Sequence, residues 1–224
     1  MHAVSAKHFV DSEFGHVHRA LVPGALKSAY DAVEALYKEE PLFDVMTAKI
    51  GKGHVIAWAV DRQIERLLIA GRLPFDYRWV SFERPTGKFL QIRLPSSTMS
   101  INQLPQPTDI PRDANFRTNR VLNNNPLLPL NAEIIDERRV AGLPHLILAH
   151  GYQELSFAQI GVLHPSARKF GWIYRTPNFL AAIRAIEPET PPAEEAADVE
   201  AVVTLKDEIA RWLRDNSDDG RNNG

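Results

Sequence analysis

The stretch of residues 75–104, FDYRWVSFERPTGKFLQIRLPSSTMSINQL, constrains the fold of this chain more than any other part. It reads as three short strands, and the residues PTG at 85–87 and PSS at 95–97 supply the turns between them. Strands with such short connections pair antiparallel, because a parallel pair needs a crossover of about a dozen residues or more. The stretch therefore predicts an antiparallel meander.

Two amphipathic helices are predicted before the meander. Apolar residues recur at helical spacing over about 24–39 and again over the run HVIAWAVDRQIERLLIAG, which ends at Gly71. Farther along, PHLILAHGY, ELSFAQIGVLHP and FGWIYRT read as three more strands. We therefore expect an α+β fold with two N-terminal helices, an antiparallel sheet of about five or six strands and a long Pro/Asn-rich loop at 105–130.

The C-terminal part of the chain predicts a different organisation. Residues 1–186 are expected to form a single α+β domain, 187–198 a disordered acidic and Pro-rich linker, 199–215 an amphipathic helix, and 216–224 a disordered tail. The helix carries an apolar stripe formed by Val202, Leu205, Ile209, Trp212 and Leu213. Such a stripe predicts that the helix binds a protein partner or a second copy of the chain, or that it folds back on the domain.

The absence of cysteine excludes several classes of chemistry. A chain without cysteine has no disulfides, no thiolate metal site and no Cys nucleophile. The N-terminal residues show no apolar leader, and charged residues interrupt the longest apolar run, so neither a secretory signal nor a membrane partner is expected. These features favour a cytoplasmic protein.

The charge is distributed unevenly along the chain. The formal net charge is −2, but residues 62–120 hold ten basic and five acidic residues, whereas 187–224 hold four basic and eleven acidic ones. A basic centre favours an anionic partner, and an acidic tail could compete with that partner.

The basic centre predicts a nucleic-acid-binding surface. Guanidinium groups and small polar side chains are the groups that contact phosphates, and aromatic rings interleave with them here. We expect DNA or RNA to contact the sheet and the adjoining loop through eight residues: Arg78, Arg84, Lys88, Arg93, Arg112, Arg117, Asn119 and Arg120.

No nucleophile elbow, phosphate loop or metal-ligand spacing stands out in the sequence, and no metal site is predicted. Asp76 opens the first strand of the meander, and Gln91 and Arg93 share a face of the second. This arrangement, a helix followed by such a hairpin, resembles the metal-dependent nucleases of the PD-(D/E)xK type. The resemblance implies Mg²⁺-dependent catalysis, with Gln91 where the family has an acid and Arg93 where it has a lysine, so a degenerate site is expected.

Three functional hypotheses follow, in order of preference. The first is a nucleic-acid-associated protein that binds an anionic polymer through its basic sheet and loop. The second is an interaction or accessory module acting through the C-terminal helix. The third is the degenerate nuclease, and only this one involves a cofactor, Mg²⁺.

Overall fold

The computed structural model describes residues 5–82, 87–112, 114–128 and 142–180, together with residues 207, 208 and 211. Its fold is α+β: helices in the N-terminal part precede a six-stranded sheet. The helical elements are α1 (Ala6–Glu13), α2 (His16–Arg19), α3 (Val22–Glu39), the 3₁₀ helix η1 (Pro41–Asp44), α4 (Met46–Ile69), α5 (Asn115–Val121), the 3₁₀ helix η2 (Leu122–Leu127) and α6 (Ala167–Phe170). The strands are β1 (Asp76–Ser81), β2 (Lys88–Arg93), β3 (Thr98–Leu104), β4 (His145–Gly151), β5 (Ala158–Leu163) and β6 (Trp172–Arg175).

The sheet has the simple order β1-β2-β3-β4-β5-β6. The predicted meander is confirmed, because β1 pairs antiparallel with β2 and β2 antiparallel with β3. The pair β3 and β4 is parallel, whereas β4, β5 and β6 are again antiparallel. The sheet is therefore mixed, since the long connection between β3 and β4 allows the crossover that a parallel pair requires.

The two predicted helices correspond to α3 and α4, which pack together on one face of the sheet. Their buried apolar residues meet those of the inner strands, and this contact forms the main core. Gly71 has a φ of +68°, as expected of the residue that ends α4.

The structure also contains helices that the sequence did not predict. Helices α1 and α2 precede α3, so the N-terminal part has more than two helices. Helix α4 begins at Met46 and runs through Gly51 and Gly53. A Cβ atom at Gly53 would lie 2.7 Å from the ring of Tyr152, so close packing explains a glycine inside this helix.

Much of the C-terminal part lies outside the described residues. The predicted linker and tail lie outside the described residues. So do the five residues of the apolar stripe, Val202, Leu205, Ile209, Trp212 and Leu213. Residues 207, 208 and 211 are helical. Among the helices that the structure describes, none has both the length and the hydropathy needed to cross a membrane.

Candidate nucleic-acid interface

The sheet has a second face, opposite α3 and α4, that is polar near β1, β2 and β3. We call it the polar face. Its residues alternate with the core residues along each strand, and the strand register aligns them in two rows. The first row is Asp76, Arg93, Thr98 and His145, and the second is Arg78, Gln91 and Ser100.

A cavity of about 110 Å³ opens between these two rows. Its lining consists of Asp76, Tyr77, Arg78, Gln91, Arg93 and Thr98. Arg78 Nε donates a hydrogen bond of 2.9 Å to Gln91 Oε1. Gln91 is only 2% exposed, and its Nε2 group has no hydrogen-bond partner in the structure. A buried N–H donor without a partner is costly, which sets Gln91 apart from the other residues of the cavity lining.

A chain of hydrogen bonds runs from Thr98, at the cavity, across the polar face. His145 Nδ1 lies 2.9 Å from Thr98 Oγ1, and its Nε2 lies 3.0 Å from Ser100 Oγ. Asn102 Nδ2 donates to Ser100 Oγ at 3.1 Å, and Arg117 donates to Asn102 Oδ1. Burial, together with the charges of the nearby Arg120 and Arg117, lowers the pKa of His145 to about 3. The imidazole is therefore neutral at physiological pH and holds Thr98 in position.

Helix α5 lies beside the polar face and brings further cations to it. Phe116 stacks on Phe89 with the ring centroids 4.2 Å apart, which holds the helix against β2. The guanidinium of Arg120 then lies 5.5 Å from the centroid of Phe89. Burial lowers the pKa of Arg120, and the charge of Arg78 lowers it as well, so these two guanidinium groups are close enough to repel each other.

The structure thus brings some of the predicted binding residues together. Arg78 and Arg93 line the cavity, and Arg120 lies near Arg78. Arg117 is largely enclosed: it donates to Asn102 and to the Arg112 carbonyl, and burial lowers its pKa to about 10. It supports the site more than it is available to a ligand.

The other predicted binding residues are more scattered. Lys88 is exposed at the end of β2 that lies away from Arg93. Arg112 is exposed just before α5, and Asn119 is exposed on α5 itself. Arg84 lies outside the described residues. Among the residues that the structure describes, no carboxylate lies within 4.0 Å of Arg78, Lys88, Arg93 or Arg120.

The aromatic residues are not arranged to stack on bases. Tyr77 packs in the core on the helix-covered side, as the alternation along β1 predicts. Trp79 lies on that side too and donates a hydrogen bond of 2.7 Å to Glu65. Phe89 and Phe116 stack on each other. Contacts through phosphates therefore fit this surface better than base stacking does.

The three candidate catalytic residues line the same cavity. Asp76 and Arg93 are direct cross-strand partners, and Gln91 is the partner of Arg78. Within the described ranges, no group of three or more His, Asp or Glu side chains is arranged to hold a metal ion. Asp76 is the one carboxylate among the residues that line the cavity, and the amide oxygen of Gln91 already accepts from Arg78. These residues do not fit an Mg²⁺ site well, because the ion is usually held by carboxylates.

The sequence did not single out the role of His145 or of Asn102. The alternation along β3 could have indicated that Thr98, Ser100 and Asn102 share a face. Nothing local could have indicated His145, because it reaches that face through the parallel pairing of β3 with β4.

No protein-family model, curated protein or solved structure matches this chain. Its function is therefore argued from the geometry and charge of this surface.

Proposed function

We propose that the protein binds nucleic acid through the polar face, with a backbone phosphate at the cavity between Arg78 and Arg93. One observation carries the proposal: Arg78, Arg93 and Gln91, whose amide N–H lacks a partner, line a single small cavity. Arginine forks and amide N–H groups are the donors that bind phosphate oxygens. The absence of cysteine favours a cytoplasmic site for this activity.

The charge of the cavity agrees with a phosphodiester ligand. Asp76 lies opposite Arg93 in the strand register, so one arginine is offset by one carboxylate and Arg78 remains in excess. Arg120 adds a further positive charge beside Arg78. A phosphodiester carries one negative charge and would relieve the repulsion between these two guanidinium groups.

The proposal is tested by binding measurements on the full chain. Fluorescence anisotropy with labelled single-stranded DNA, duplex DNA and RNA gives Kd at several salt concentrations. We expect the double variant Arg78→Gln/Arg93→Gln to bind at least about tenfold more weakly. The slope of log K against log[salt] should fall by roughly 0.7–0.9, because the contact to one phosphate is lost.

The matched control removes two positive charges elsewhere. Lys27 and Lys49 are exposed on α3 and α4, on the other side of the sheet, so Lys27→Gln/Lys49→Gln has the same net charge as the test variant. Equal losses in the two double variants would refute a specific site on the polar face. No binding by the wild-type chain at 50 mM salt would refute the proposal as a whole.

A degenerate nuclease is the second candidate, because Asp76, Gln91 and Arg93 line the cavity at the start of the strand pair that follows α4. The poor fit to Mg²⁺ makes it secondary. The same assays separate the two candidates: cleavage of the labelled DNA or RNA with Mg²⁺ or Mn²⁺, lost in Asp76→Asn, would favour the nuclease over binding alone.

A further inference from the structure

An ion pair joins the far C-terminal part of the chain to helix α4. Arg62 Nε donates to Glu208 Oε2 at 3.1 Å, and Arg62 Nη2 donates to Glu208 Oε1 at 3.4 Å. The pair is bidentate, and the hydrogen bond to Glu208 raises the pKa of Arg62. It fixes the position of residue 208 beside α4 although the two residues are far apart in the sequence.

The exposure of the neighbouring residues gives the orientation of this helix. Asp207 and Arg211 are exposed, whereas Glu208 is partly buried. Successive residues of an α-helix are about 100° apart, so Asp207 and Arg211 lie within about 40° of each other. In a helical projection of the sequence, Leu205, Ile209 and Trp212 fall about 140–200° from Asp207, so a helix over these residues would turn its apolar side away from Asp207 and Arg211.

The surface of α4 around Arg62 is suited to an apolar partner with negative charges. Trp58 lies one turn before Arg62 and is 44% exposed, and Ile69 lies about two turns after it and is 63% exposed. Trp79, on the neighbouring edge strand β1, is 42% exposed. Arg66 has a buried Nη1 group without a hydrogen-bond partner in the structure. Residues 199–215 hold four acidic and three basic residues, so the charge complementarity comes from the pair Arg62–Glu208.

We propose that residues 199–215 dock as an amphipathic helix on α4 of the same chain. In this arrangement the apolar stripe covers the surface of Trp58, Ile69 and Trp79, and the pair Arg62–Glu208 sets the register. The connection from residue 180 to residue 208 spans up to about 90 Å when extended, so the same chain reaches this surface easily. The docked helix lies on the helix-covered side of the sheet and leaves the polar face open.

Hydrogen–deuterium exchange on the full chain tests the docking. Charge reversal in Arg62→Glu or in Glu208→Arg should raise amide exchange over 199–215 by roughly two- to fivefold, as expected for a half-exposed ion pair. The double variant Arg62→Glu/Glu208→Arg should restore protection. Ile209→Asp should raise exchange by at least about tenfold, because it removes an apolar anchor.

The control reverses an ion pair on α3. Lys27 and Asp31 are bonded at 2.6 Å, and Lys27→Glu/Asp31→Lys should leave exchange over 199–215 unchanged. Exchange of 199–215 at the rate of an unfolded peptide in the wild type would overturn the proposal. So would failure of the double reversal to restore protection. A concentration-dependent dimer in light scattering, with protection of 199–215 lost on dilution, would show that a second copy is the occupant.

The outcome is independent of the proposed nucleic-acid binding. A chain truncated after residue 198 should lose protection of α4 around Arg62 and keep its affinity for DNA or RNA. Loss of binding in Arg78→Gln/Arg93→Gln concerns the polar face alone, so either proposal can fail without the other.

Discussion

Asp61 is a carboxylate whose ionisation the fold opposes. It lies partly buried on α4, and burial, together with the charge of Glu65 one turn farther along, raises its pKa to about 7. The folded chain therefore holds a proton that the unfolded chain releases near pH 4. As a consequence, this residue lowers the free energy of unfolding as pH rises from about 4 to about 7.

The substitution Asp61→Asn should remove this pH-dependent cost, since the amide resembles the neutral acid. At pH 8 the variant should be more stable than the wild type by roughly 2–4 kcal/mol, and near pH 4 the two should be equal. Urea unfolding at a series of pH values measures the difference. Asp44→Asn, at an exposed carboxylate of η1, is the control, and a constant difference between Asp61→Asn and wild type at all pH values would contradict the argument.

At the scale of elements, a buried asparagine of η2 makes hydrogen bonds to two strands of the sheet. Asn124 is fully buried, and its Nδ2 donates to the carbonyls of His145 at 3.1 Å and Leu163 at 3.0 Å. Its Oδ1 accepts from the backbone N–H of His145 at 2.7 Å. The amide thus connects η2 to the start of β4 and the end of β5.

The substitution Asn124→Ala should destabilise the fold by roughly 2–4 kcal/mol, because it leaves buried backbone groups of both strands without partners. Thermal and urea unfolding measure this loss. Asn119→Ala, at an exposed position of α5, should change stability by less than about 0.5 kcal/mol. Equal effects of the two substitutions would argue against the connecting role of Asn124.

These contacts explain which elements the sequence could predict. The meander and the helices α3 and α4 followed from local periodicity and turn residues, and the structure confirms them. Helix α5 and η2 lie in a segment rich in Pro and Asn, and their positions depend on tertiary contacts of Phe116 and Asn124. Local patterns carry no information about such contacts.

At the scale of the whole molecule, the candidate site was predictable only in part. Alternation along β1 and β2 is enough to bring Arg78, Gln91 and Arg93 to one face. The contribution of Arg120 depends on how α5 packs, and that of His145 depends on the parallel pairing of β3 with β4. Both are non-local, so the sequence indicated the basic character of the surface but not its geometry.

Two buried histidines on opposite faces of β4 make the stability of the whole molecule depend on pH. His145 belongs to the polar face, whereas His150 lies on the helix-covered side with its Nδ1 2.8 Å from the Tyr30 hydroxyl. Burial lowers the pKa of His145 to about 3 and that of His150 to about 4. Both bind a proton more readily in the unfolded chain, so the stability they contribute is present above about pH 6.5 and is lost as pH falls.

We therefore expect His150→Gln to change the slope of the free energy of unfolding against pH. Each histidine contributes a slope of up to about 1.4 kcal/mol per pH unit between roughly pH 4 and 6.5, and the substitution should remove one such contribution whatever its effect on absolute stability. Asp61 contributes with the opposite sign in the same range, so Asp61→Asn should steepen the slope while His150→Gln flattens it. Urea unfolding between pH 4.5 and 6.5 measures both, with the exposed His54→Gln as control. An unchanged slope in His150→Gln would mean that this histidine is charged in the folded protein, which the burial of its ring opposes.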